Sequence, residues 1–176
     1  LYTNMVRPHE RNPELFIGFP SRYLEKRGSL VEPLFMTSRD GKSFKLWEES
    51  LIRPGRNSDR WGNRCNYIWY GMLETASDFP GDLKEHSIYS AEHYYMDGGV
   101  KLRRFTYRPD GFVSVNAPWK GGELLTKPLT FAGGKVELNV STSAAGSVRV
   151  ELQDESGKPI SGFAMKDCPE IFGDDV

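Results

Sequence analysis

Two short stretches of this 176-residue chain hold the side chains best suited to chemistry: Asp59-Arg-Trp-Gly-Asn-Arg-Cys-Asn-Tyr67 and Ile88-Tyr-Ser-Ala-Glu-His-Tyr-Tyr95. Cleavage of a sugar–sugar bond needs two carboxyl groups, about 5–5.5 Å apart for retention and about 6.5–9.5 Å apart for inversion. One of them must hold a proton near neutral pH, through burial or a like-charged neighbour. Glu92 is the carboxylate best placed for a cleft, in an aromatic strand between Tyr89 and Tyr94 with His93 beside it. Aromatic rings suit the apolar faces of sugars, and a carboxylate accepts bonds from their hydroxyls. Glu92, His93 and Tyr94 therefore read as ligand contacts rather than catalysts. The competing reading pairs Glu92 with an arginine and makes His93 a hydrogen-bonded structural residue. In the first stretch, Asp59, Arg60, Asn63 and Arg64 can reach toward a cleft, with Trp61 as a stacking platform. The competing reading packs Trp61 between sheets and leaves the charges solvated.

Other constellations are weaker. His9 and His86 read as isolated loop residues. With three histidines in all, and with Cys65 and Cys168 far apart, no metal-ligand spacing is met. No metal and no cofactor is therefore expected. The cysteines read as buried free thiols, with a disulfide as the alternative. Asp40, in Ser38-Arg-Asp-Gly41, reads as a turn residue whose carboxylate binds local amides. Ser21 and Ser114 have no His/Asp partner in the pattern, and no glycine-rich phosphate loop occurs. Trp119 either packs at a domain junction or touches carbohydrate from a loop.

Composition narrows the class. A net charge of −1 and a pI near 6.4 argue against a nucleic-acid partner. Lys101, Arg103, Arg104 and Arg108 cluster, but at strand spacing they divide between two faces. Aromatic residues make up 12%, enough for a core and too many for a disordered tail. No apolar run approaches the roughly 20 residues of a membrane span. No signal peptide is visible, and the chain opens at Leu1 without Met, so the true N-terminus is expected to lie upstream.

The elements that must position these residues read as strands. Residues 14–19, 34–38, 44–47, 66–73 and 87–95 are short apolar or alternating runs, and Asp40-Gly41 between two of them is a hairpin signal. After a turn at Asp97-Gly-Gly99, alternation resumes through 102–107, 111–115, 123–131, 135–141, 147–152 and 162–165. Val136, Leu138 and Val140 mark one inward face, and Val148, Val150 and Leu152 another. The predicted fold is all-β in two parts: residues 1–100, and a small antiparallel sandwich over 101–176. Such a small sandwich suggests a chain truncated at both ends.

Several motifs are more specific: Phe19-Pro-Ser-Arg-Tyr23, Ser38-Arg-Asp-Gly41, Ile88-Tyr-Ser-Ala-Glu-His-Tyr94, Arg108-Pro-Asp-Gly-Phe-Val-Ser-Val115, Thr126-Lys-Pro-Leu-Thr-Phe131 and Leu138-Asn-Val140. In these the chain resembles the C-terminal part of bacterial proteins related to the five-bladed β-propeller glycoside hydrolases, the fructosidase-like and arabinosidase-like families. The resemblance implies that residues 1–100 are the last blade or blades of a propeller and that residues 101–176 are the β-sandwich behind it. It implies a secreted or periplasmic protein with a carbohydrate ligand, and Glu92 and Arg64 at the cleft mouth. It supplies no catalytic acids. The family's Asn-Asp-Pro, Arg-Asp-Pro and Glu-Cys signatures are absent, Arg108-Pro-Asp110 has the wrong order, and Asp167-Cys-Pro169 carries Asp for Glu. The expectation is a supporting fragment that is not catalytic by itself. The alternative is a non-catalytic carbohydrate-binding or structural β module. The oligomeric state is left open.

Overall fold

The computed structural model describes residues 1–62, 64–78 and 84–175. Among them are eleven short strands, three single-turn 3-10 segments and no α-helix. Glycine and proline recur along the chain and short alternating runs lie between them, a pattern that favours antiparallel sheets over helices. None of these sheets closes on itself.

The strands are β1 (Arg7–Pro8), β2 (Phe16–Gly18), β3 (Ser21–Leu24), β4 (Leu30–Pro33), β5 (Phe35–Ser38), β6 (Lys45–Trp47), β7 (Ile68–Ala76), β8 (Lys84–Glu92), β9 (Lys101–Tyr107), β10 (Val140–Ser141) and β11 (Asp174–Asp175). They form a β1-β2-β5-β6 sheet, a β3-β4 pair, a β7-β8-β9 meander and a β10-β11 pair. The chain divides into two compact units, residues 1–112 and 113–176.

In the first unit, Ile17, Phe19, Phe35, Ile52, Ile68, Met72 and Ile88 form the buried core, with Phe105, Tyr107 and Phe112 packed against it. Phe112 stacks on Phe35 at 4.7 Å between ring centroids. β8 explains much of this arrangement. Its alternate residues His86, Ile88, Ser90 and Glu92 share one face, and Ile88 lies opposite both Met72 and Phe105. Its other face carries Glu85 and Ser87, which are also buried. There Arg104 donates to Ser87 Oγ at 2.9 Å and pairs with Glu85. The basic residues of β9 thus divide between faces, as their spacing predicts.

The boundary between units follows β9 instead of preceding it. β9 is hydrogen-bonded along β8 from Glu92↔Lys101 to His86↔Tyr107, so Asp97-Gly-Gly99 is a connection within one sheet. β8 also stops at Glu92, short of the expected Tyr95. His93 and Tyr95 take left-handed φ values of 57° and 58°, which no strand can continue.

The second unit carries less regular structure than its alternation predicts. Residues 113–139 lie outside any strand. Beyond β10-β11, pairing is confined to single bridges, Val148↔Ile171 and Gln153↔Pro159. Val148, Val150 and Leu152 are half-buried in the expected alternation, but Leu125, Leu129, Phe131 and Val136 are exposed. Alternation assigns faces to an extended chain. A ladder needs a second backbone opposite, and composition does not encode where that backbone lies.

The β5-β6 hairpin shows the turn chemistry plainly. Asp40 Oδ1 accepts from the amides of Ser43 at 2.7 Å and Lys42 at 2.8 Å and from the Ser38 hydroxyl at 2.9 Å, while Gly41 takes φ 68°. The Ser43 and Lys42 amides, with the Ser38 hydroxyl, lower the Asp40 pKa from 3.8 to about 2. A carboxylate with a depressed pKa stabilises the fold above its unfolded value and loses that effect as pH falls. The stability difference between the wild type and Asp40→Asn should therefore be constant above pH 5 and shrink between about pH 4 and pH 2, as followed by thermal unfolding. A pH-independent difference would detach the carboxylate from the turn. Ile88→Ala should lower unfolding free energy by about 2–5 kcal/mol and Leu125→Ala by less than about 0.5 kcal/mol in urea titrations. Similar effects at the two positions would contradict the core assigned above.

Candidate functional site

Asp59, Trp61, Arg64, Glu92, His93 and Tyr94, the residues singled out in the sequence, meet at one corner of the first unit, where β8 ends and β9 begins. Glu92 is at its base, 1% exposed. It points to the core side of the sheet, where Arg103 Nε donates to Glu92 Oε1 at 2.5 Å and Arg60 Nε approaches the same oxygen at 3.4 Å. Arg60 also donates to Asn66 Oδ1 and lies 4.7 Å from the centre of the Phe105 ring. Burial pulls the Arg60 pKa down while Glu92 opposes it. The hydrogen bond and charge of Glu92 push that of Arg103 up. Glu92 is a buried ion-pair residue, which is the arrangement set against a sugar contact above. No solvent-borne ligand reaches its carboxylate in this arrangement.

The rim above it is built on the single-turn 3-10 segment Ser58–Arg60, capped by Asn57 Oδ1 accepting from the Asp59 amide at 3.0 Å. The Asp59 carbonyl accepts from the His93 amide at 2.9 Å, and the Cys65 thiol donates to it at 3.2 Å. The Tyr94 amide in turn donates to Cys65 Sγ. Cys65 and Cys168 are both free thiols, the first buried and the second half-buried. The Asp59 carboxylate pairs with Lys101 Nζ at 2.6 Å, and that hydrogen bond holds its pKa below the ordinary value. His93 Nδ1 donates to the Gly99 carbonyl at 3.0 Å. In the neutral ring the proton is therefore on Nδ1, and Nε2 is the acceptor.

Three side chains remain for an external ligand. The Trp61 indole N–H donates to the Gly55 carbonyl at 2.7 Å while its ring stays 54% exposed. Tyr95, two-thirds exposed, lies against Tyr94 at 4.4 Å between ring centroids. The exposed Arg64 guanidinium sits 5.4 Å from the Tyr95 ring centre. Tyr95 was outside the sequence-derived set, although it adjoins Tyr94. Asn63 lies outside the described residues. Trp119, in the second unit, is 90% exposed.

A second cluster occupies the other end of β8. His86 and Glu92 are six positions apart on one face, so the two groups stand roughly 20 Å apart along the strand. His9 Nε2 and His86 Nε2 lie 2.8 Å and 3.4 Å from the same oxygen, Asp110 Oδ1. Arg11 pairs with Asp110 Oδ2, and its amide donates to His9 Nδ1 at 3.2 Å. In neutral His9 the proton is therefore on Nε2, donated to Asp110. His86 is 1% exposed and stacks on Phe112 at 5.8 Å with 9° between planes. Its Nδ1 is buried without a hydrogen-bond partner. Desolvation pushes the Asp110 pKa up, but hydrogen bonds from His86 and His9 and the charge of Arg11 hold it below the ordinary value.

Sequence spacing predicts no metal site, yet among the described residues the ligand atoms of His9, His86 and Asp110 lie within 4.8 Å of one another. His86 is a strand residue, not a loop residue. The partners are 101 and 24 positions apart, separations that no ligand-spacing rule covers.

No protein-family model matches the chain, and neither do the curated proteins or the solved structures.

Glu92→Ala should reduce unfolding free energy by about 3–5 kcal/mol, because it leaves the Arg60 guanidinium buried without its counter-charge. Arg103→Ala, which removes a half-exposed partner, should have a smaller effect. Urea unfolding of both variants makes the comparison, and a loss below about 1 kcal/mol for Glu92→Ala would contradict its role as a buried anchor.

Proposed function

We propose that this chain is the C-terminal part of a secreted, glycoside hydrolase-like protein and that it contacts carbohydrate without cleaving it. The finer architecture in this reading is a terminal propeller blade in residues 1–112 followed by a sandwich-type unit. The sequence motifs quoted above and the three-stranded β7-β8-β9 meander, which suits part of a four-stranded blade, support it.

One observation carries the ligand class. The Trp61 and Tyr95 rings stand exposed at a corner that also offers the Arg64 guanidinium. Flat apolar faces beside fixed donors and acceptors are what a sugar ring requires. The indole bond to Gly55 and the packing of Tyr95 against Tyr94 restrain both rings, so less conformational freedom is lost on binding. The non-catalytic half of the reading rests on Glu92 and Asp59. Each is engaged by basic side chains at short range, which leaves neither free to act across a scissile bond.

Tryptophan fluorescence of residues 1–176 should shift on titration with fructo-, arabino- or xylo-oligosaccharides. Trp61→Ala should remove the shift and weaken binding by about tenfold or more, whereas Trp119→Ala should leave both intact. No shift with any of these sugars, or an unchanged shift in Trp61→Ala, overturns the assignment. Measurable turnover of aryl glycosides would overturn the non-catalytic part alone.

A further inference from the structure

We propose that His9, His86 and Asp110 bind a divalent transition-metal ion of the zinc type. Two imidazole nitrogens and a carboxylate oxygen are the usual donors for such an ion. Here they converge on one point from three separate segments: the chain after β1, the start of β8 and the Arg108-Pro-Asp-Gly111 turn.

Without an ion, His9 Nε2 donates to Asp110 Oδ1 at 2.8 Å, an ordinary hydrogen bond that must lengthen when an ion enters. The 3.4 Å separation of His86 Nε2 from Asp110 Oδ1 is long for a hydrogen bond. It is close to the edge of about 3.3 Å between two ligands held tetrahedrally at about 2.0–2.1 Å from zinc. The buried Nδ1 of His86 has no partner whether it is an empty acceptor, with Nε2 donating, or an N–H donor, with Nε2 on an ion, so it favours neither arrangement. With an ion on Nε2, the Nδ1 position carries the proton.

The surroundings suit a loaded site. His9 and His86 are buried, whereas the Asp110 side chain is half exposed, which leaves an entry path and room for a water ligand. Stacking on Phe112 fixes the plane of His86. Arg11 on Asp110 Oδ2 orients the carboxylate and leaves Oδ1 for the ion. Binding makes two metal–nitrogen bonds and one metal–oxygen bond. At His9 the proton passes from Nε2 to Nδ1, so the Arg11 amide must give up its 3.2 Å contact there. That rearrangement opposes binding.

The test uses the full chain after chelator treatment. Titration with Co2+ should give visible d–d absorption saturating at one equivalent, and Zn2+ should abolish it and raise the thermal midpoint. Asp110→Asn, at a half-exposed position, should fold and bind at least tenfold more weakly, and His9→Gln should behave alike. His93→Gln, at the opposite end of β8, should bind as the wild type does. An assay free of variants is the two-bond 1H–15N spectrum of the histidine rings, in which Zn2+ should convert His9 from the Nε2–H to the Nδ1–H tautomer. Absence of cobalt absorption at 1 mM, binding undiminished in Asp110→Asn, or unchanged His9 and His86 ring signals on zinc addition would each overturn the proposal.

Discussion

β8 is hydrogen-bonded along both edges and buried on both faces, and its register governs the rest of the first unit. A shift of one residue would turn His86, Ile88, Ser90 and Glu92 to the opposite side of the sheet. Ile88 would leave the core, Glu92 would lose Arg103 and Arg60, and His86 would lose Asp110 and Phe112 together. Such a strand tolerates only one pairing. That constraint keeps two polar groups at fixed positions in an otherwise apolar environment.

β9 reinforces the same register electrostatically. Arg103 and Arg104 are neighbours in sequence and therefore point to opposite faces. Each meets a buried glutamate of β8, Glu92 on one side and Glu85 on the other. A buried carboxylate without a partner is strongly destabilising, whereas a matched pair is close to neutral overall. The two pairs thus act less as a source of stability than as a penalty on every alternative alignment.

The two ends of β8 differ in their surroundings. At the Glu92 end, the chain leaves the sheet through the left-handed residues His93 and Tyr95, and the aromatic rings there face solvent. At the His86 end, Phe112 stacks on the buried His86 ring, and Asp110 and Arg11 open to water. Under the proposals above, the first would take a hydroxylated ligand resting on a surface, and the second a small ion held by side chains. Each takes one residue from the strand, Glu92 or His86, and the others from turns and connections.

The sequence by itself determined what local rules control. Period-2 alternation, the scatter of glycine and proline, and Asp40-Gly41 sufficed for an all-β chain, for the β5-β6 hairpin and for the division of Arg103 and Arg104 between faces. The aromatic run around Glu92 lies at the corner where Asp59, Trp61 and Arg64 also sit. Only the tertiary structure decided that Glu92 is enclosed by Arg60 and Arg103, because burial depends on residues far off in the chain. Only it decided that β9 belongs with β8, and that most of residues 113–139 lie outside ladders despite their alternation. The meeting of His9, His86 and Asp110 is the sharpest case. Three separate segments must fold before their nitrogen and oxygen atoms become neighbours, and long-range proximity of that kind leaves no mark on residue spacing.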